Sequence, residues 1–244
     1  MQATHLYGSM DELATGRMNV DALNVPTTGS AAQRIETELR RAIISMSLPP
    51  GTRLSEQEIA TSHGVSRQPV REALIGLART RLVEILPQRG TVVVKISTRK
   101  MMEARFVREA IETAVARKAA EAFDPAQRTR IDDLIDLQSK AAQRNDHGTF
   151  QRYDELFHVA LAEGAGCGLA WEAISDIKAH MDRACHLTLT SAATMAALVD
   201  QHRAIMVAVD ARDPAGAAEA MRCHLSEILR ALPKVAQEHP DLFE

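Results

Sequence analysis

The sequence predicts a mainly α protein, an N-terminal winged helix-turn-helix followed by an all-α C-terminal domain. Three observations predict it. Residues 31–79 carry helical periodicity broken by a tight Gly turn, two β-prone runs follow at 82–94, and beyond Ser97 only helical periodicity remains. The composition agrees: the 244 residues are 45% hydrophobic and 25% charged but only 3% aromatic, so Leu, Ile, Val, Ala and Met must fill the core. That length suits two cores better than one.

The elements follow in order. Residues 1–29 mix Gly, Thr, Asn and Pro without periodicity and are expected to form a flexible arm. Ile35, Leu39, Ile43 and Ile44 then mark a first helix, which Pro49-Pro50-Gly51 ends by removing donors and permitting a turn. A second helix is expected over Ser55–Ser62, with Ser55 as N-cap and Glu58 completing a capping box. His63-Gly64-Val65 breaks it. Ser66 caps a third helix, Pro69 is tolerated in its first turn, and Val70, Ala73, Leu74 and Leu77 form its apolar face. Leu82–Leu86 and Thr91–Val94, joined by Pro87-Gln88-Arg89-Gly90, predict a hairpin with a basic tip. Six amphipathic helices are then expected at about 98–122, 125–145, 147–164, 168–189, 192–211 and 213–232. The domains are placed at 30–97 and 98–244.

Charge divides along the same line. Residues 30–97 hold ten basic and six acidic side chains, a balance of +4, so a chain of net charge −3 leaves −7 for the rest. The basic part is therefore the candidate for a polyanionic partner. No run approaches a membrane span and the first residues lack a secretory pattern, so a cytoplasmic location is expected. Cys167, Cys185 and Cys223, without CxxC spacing, read as reduced thiols.

A helix-turn-helix puts the N-terminal end of its second helix into the major groove. Here that end reads Ser66-Arg67-Gln68-Pro69-Val70-Arg71, with Arg67 and Arg71 one turn apart and opposite the apolar face. Each arginine can fork onto guanine O6 and N7, and Gln68 onto adenine or a phosphate. Ser66 with the free N–H groups of the first turn suits a phosphate. Arg89 and Gly90 allow the wing tip to approach the duplex. Alone, any one of these arginines also reads as a solvated surface charge.

Taken together, Pro50-Gly51-Thr52-Arg53-Leu54-Ser55-Glu56, Gly64–Leu74, Leu82-Val83-Glu84 and Arg89-Gly90-Thr91 resemble the winged helix of GntR-type bacterial transcription regulators. The resemblance covers most of residues 31–95. It implies homodimeric binding to a pseudo-palindromic double-stranded DNA operator through Arg67, Arg71 and the wing around Gly90. Gln68, where Thr is common, and Gln57, where some relatives use Arg, depart from the pattern and leave base preference open.

Among the nine histidines, His158 follows Asp154 by four residues, which aims both from one helix face. His202 and His224 fall on consecutive helices about 12 Å and about 16 Å from the connecting turn. In an antiparallel hairpin both can converge on Asp154 and His158. Three imidazoles and a carboxylate suit Zn²⁺ or Ni²⁺ and leave coordination positions open. The spacing alone also fits ordinary polar side chains. Residues 98 to about 232 resemble the FCD effector domain of the FadR-like branch, an antiparallel helical bundle. Its metal-binding members carry Asp-x-x-x-His, then a His, then another about 22 positions later. Asp154, His158, His202 and His224 match.

Arg108, with Ile111-Glu112 and Ala119-Ala120, resembles that family's first effector-domain helix, whose arginine faces the ligand cavity. A small organic acid is the implied effector, gripped by the arginine fork. Arg183 and His186 are further pocket candidates, with a solvated face as their other reading. A regulator rather than an enzyme is expected. A sensor of the metal alone, and a metal-dependent hydrolase with Glu155 as base, are the rivals; Glu155 lies about 100° from Asp154 around the helix and has no HExxH partner.

Overall fold

The computed structural model describes residues 29–244 except Arg89, Asp176 and Thr190. Up to residue 28 the expected arm lies outside the described residues. The chain forms two compact units that part between Ile96 and Ser97.

In the first unit, α1 (Ala31–Ile44) starts at a full capping box between Ser30 and Gln33 and buries Ile35, Leu39, Ala42 and Ile43. The helix pair is α2 (Glu56–His63) and α3 (Arg67–Arg79), joined across Gly64, whose φ of 63° is left-handed. Only half of the box expected for α2 is made: the Ser55 side chain accepts from the Glu58 N–H. Ser66 caps α3 by backbone geometry alone, without a side-chain bond. Strands β2 (Val83–Leu86) and β3 (Gly90–Val93) pair antiparallel with Leu86 opposite Gly90. A two-residue strand, β1 (Arg53–Leu54), adds to the other side of β3 and gives the order β1-β3-β2. It was not expected, because two residues are too few for alternation to register. Ile59, Leu74, Leu77 and Leu82 close the core.

The second unit is a helical bundle of α4 (Thr98–Glu121), α5 (Pro125–Gln143), α6 (His147–Gly164), α7 (Gly168–Ser175), α8 (Ala179–Thr188), α9 (Ala192–Asp210) and α10 (Pro214–Glu238). The starts of α5, α6 and α10 are set by Asp124, Asp146 and Asp213, each accepting a backbone N–H of its own first turn. Two expectations need correction. The helix expected over 168–189 is two, turning at Ile177 and Lys178, where no Gly or Pro announces a break. And α10 does not stop at 232 but continues through Pro233, giving up one donor. The core holds Ile131, Phe150, Phe157, Met195, Ile205, Met206 and Met221. Among the described residues no helix is long and apolar enough to cross a membrane.

Candidate functional site

On the first unit, Ser66, Arg67, Gln68 and Arg71 are all exposed at the start of α3. The two arginines are not loose. Glu56, at the start of α2, bonds Arg67 through Nη2 at 2.7 Å and Nε at 3.2 Å, and Arg71 through Nε and Nη2, each at 3.2 Å. The hydrogen bonds and charges of Arg71 and Arg67 hold the Glu56 carboxyl below its ordinary range. One carboxylate thus sets the planes of both guanidinium forks. Gln68 donates to Glu72 one turn on, at 2.9 Å. Gly90 has φ 85° and open space where a Cβ would stand, so backbone there can approach a neighbour closely. Arg89 lies outside the described residues.

In the second unit, Asp154 and His158 on α6 meet His202 on α9 and His224 on α10, with one ligand atom from each inside a 4.8 Å span. The outward ring nitrogens reveal the tautomers. Gln138 donates to the Tyr153 carbonyl, which turns its amide oxygen to His202 Nδ1 at 2.7 Å. Gln201 donates to Glu227, which turns its oxygen to His224 Nδ1 at 3.1 Å. Both Nδ1 atoms must then donate, leaving Nε2 without a proton. His158 Nδ1 lies 2.5 Å from Glu112 Oε2, without the geometry of a hydrogen bond. The three Nε2 atoms face one another at 3.3 Å (His202 to His224) and 3.2 Å (His224 to His158). Asp154 Oδ1 is 3.5 Å from His202 Nε2.

Burial, then the neighbouring imidazoles, hold His202 and His224 well below the usual histidine range, so neither supplies a proton to that gap. The unshared Nε2 lone pairs of His202 and His224 thus converge with the Asp154 carboxylate and His158 Nε2. Such a donor set fits a divalent cation, and each imidazole already has the outer partner that metal-bound histidines show.

Beside the cluster lies a cavity lined among others by Arg108, Asp154, Trp171, Lys178, Asp182 and His224. Arg108 on α4 bonds Glu112 one turn on, and its guanidinium carbon is 5.9 Å from the Trp171 ring centre. Burial opposes the Arg108 charge, but Glu112 and Asp154 more than restore it. Glu112, which burial alone would raise, is pulled down to about 2 by Arg108 and His158. Lys178 faces the same indole at 5.6 Å and holds Asp182 at 2.8 and 2.9 Å.

Residues 31–93 match the family described as bacterial regulatory proteins, gntR family, and residues 103–227 match the FCD domain. The chain is also 39% identical over 211 residues to the HTH-type transcriptional repressor RspR of Escherichia coli (strain K12), covering 86% of this chain and 92% of that one. This protein belongs to the GntR family, with an FCD domain. Its first unit is accordingly a DNA-binding head and the protein a transcription regulator. Two solved structures share the fold: E. coli McbR/YncC, with TM-score 0.74 and 20% identity over 87% of this chain and 100% of that one, and a GntR regulator from Rhodococcus sp. RHA1, with TM-score 0.69 and 26% identity over 86% and 99%.

Within this GntR-family chain, two predicted pocket residues are not where they were expected. Arg183 and His186 do not line the cavity; α8 turns Met181, Asp182, Cys185 and Thr188 towards it, followed by Leu189. Helical spacing explains the correction, since each is about 100° around from its lining neighbour, Asp182 or Cys185. Arg183 is fully buried instead and donates to His180 Nδ1 at 3.0 Å. The residues that sequence reasoning missed are Glu56, Gln138, Gln201 and Trp171, and the role of Glu112. Trp171, the chain's sole tryptophan, was a signal available in the composition.

Proposed function

We propose that this regulator is a cytoplasmic homodimer whose operator affinity is controlled by a small carboxylate bound at a metal site in the second unit. Zn²⁺ or Ni²⁺ is the ion the donor set favours. The supporting observation is the convergence of three imidazole Nε2 atoms, those of His202 and His224 proton-free, and Asp154 next to a cavity lined by Arg108. A cation bound there supplies a Lewis-acidic positive charge for one carboxylate oxygen. Arg108 orients the same carboxylate by its fork, Trp171 walls the cavity, and the outer partners of the three histidines keep their Nε2 atoms aimed inward. On the head, Ser66, Arg67, Gln68 and Arg71 meet the operator, with Glu56 aligning the two arginines and Gly90 bringing the wing close. The effector changes affinity to the extent that it prefers one arrangement of the two heads.

Footprinting of the full-length protein tests the head: Arg71→Ala is expected to cost about 1–3 kcal/mol of base discrimination while the fold is kept. An unchanged footprint removes α3 from the interface. Elemental analysis and mass spectrometry of the purified protein test the site, with a divalent metal and an organic acid expected. Operator affinity that follows Zn²⁺ with no acid present makes the ion itself the signal. Turnover of an added acid by the Zn²⁺-loaded protein makes the site an enzyme's.

A further inference from the structure

Arg108 and Glu112 are one turn apart on α4, and His158 faces them from α6. The Glu112 carboxylate, 4% exposed, is split between two partners: Oε1 accepts from Arg108 Nε, while Oε2 lies against His158 Nδ1. Trp171 closes the group, stacked on His158 with ring centres 5.7 Å apart and planes within 9°, and also facing Arg108. The other two imidazoles lean on neutral amides, Gln138 and Gln201. His158 alone among the three leans on a charge, and it shares that charge with the arginine of the cavity.

We infer that Glu112 is a positioning residue that links the anion-binding arginine to the cation site. It holds the His158 ring with Nε2 turned into the cluster, and it divides its negative charge between His158 and Arg108. The inference rests on the metal reading above. Its consequence is a coupling with a defined sign. An anion that takes the Arg108 guanidinium loosens its hold on Glu112, and more of the carboxylate charge then backs His158, which makes that imidazole a stronger donor. Anion and cation therefore strengthen each other's binding, and linkage makes the gain reciprocal.

The test uses the full-length protein, Zn²⁺ in competition with a chromophoric chelator, acetate as the probe anion, and Co²⁺ absorption as a report on the ligand field. Glu112→Gln is expected to weaken Zn²⁺ by about 10–100-fold, to shift the Co²⁺ bands, and to shrink the gain in Zn²⁺ affinity that acetate produces in the unaltered protein. Arg108→Ala is expected to act in the opposite direction and tighten Zn²⁺, because the whole charge of Glu112 then backs His158 and a nearby positive charge is gone. A merely structural Glu112 predicts similar losses in both variants, and that result overturns the inference. So does Zn²⁺ affinity in Glu112→Gln equal to the unaltered protein's. Should Glu112→Gln not fold, Arg108→Ala decides by the sign of its effect. His202→Ala separates the two levels: if it loses Zn²⁺ while Glu112→Gln does not, only the role of Glu112 falls. If the unaltered protein binds no Zn²⁺, both readings fall.

Discussion

Glu56 and Asp154 show how one functional group serves two ends. Glu56 sits between two arginines on a wet surface and is held ionised, whereas burial raises Asp154, and its neighbouring cations only partly offset that effect. For Glu56 the sign is defined. Its folded-state pKa is lowered from 4.5, so the clamp's contribution to stability is full above that value and fades as the pH falls through the depressed one. Carbon-detected NMR of the side-chain carboxyl is expected to place its titration below 4.5, and Arg71→Ala to move it back towards 4.5. A midpoint at 4.5 in both proteins would show that the clamp is absent in solution. At this scale the sequence was half legible. Arg67 and Arg71 declare themselves by sharing a helix face, but their common partner is eleven and fifteen residues away, and no local pattern announces it. The histidines behave alike: their spacing and resemblance are readable, whereas Gln138, 64 residues from His202, is brought near only by α5 packing against α9.

Elements were legible where punctuation is covalent. Gly64 and Ser66 mark the turn between α2 and α3, and Asp124-Pro125 and Asp213-Pro214 mark the starts of α5 and α10, because each supplies a conformation or an acceptor that the backbone lacks there. The break between α7 and α8 has no such residue, and β1 is made only by pairing with β3. Two glycines separate the two reasons a helix end demands one. At Gly64, φ is 63° and a Cβ would meet nothing, so Gly64→Ala is expected to cost about 1 kcal/mol through backbone strain alone. At the end of α6, a Cβ on Gly164 would stand 2.3 Å from the Phe123 ring, which packs against the core, while the Gly164 carbonyl accepts from Asp124 N–H at 3.0 Å. Gly164→Ala is expected to cost about 1–3 kcal/mol through overpacking, and Phe123→Leu to recover part of it. Chemical denaturation measures both. Recovery in the Gly64→Ala background as well would break the distinction.

At the scale of the whole molecule, charge and chemistry are partitioned together. The basic stretch carries Arg67 and Arg71 at the exposed start of α3, and the acidic remainder carries the cluster of Asp154, His158, His202 and His224. Each unit has its own buried core, one built on Ile35, Leu39 and Leu74 and the other on Phe150, Phe157 and Met206. A ligand that binds only the folded form stabilises the unit that holds it by an amount set by its concentration relative to its dissociation constant, about 4 kcal/mol at a thousandfold excess. Zn²⁺ is therefore expected to raise the calorimetric transition of the second unit and to leave that of the first in place. EDTA is expected to reverse the change. His202→Ala should remove the response and leave the first transition untouched, since His202 is buried among second-unit side chains, stacked on Phe157 at 4.0 Å. A rise that persists in His202→Ala would place the ion elsewhere, and equal movement of both transitions would mean that the head shares in the binding.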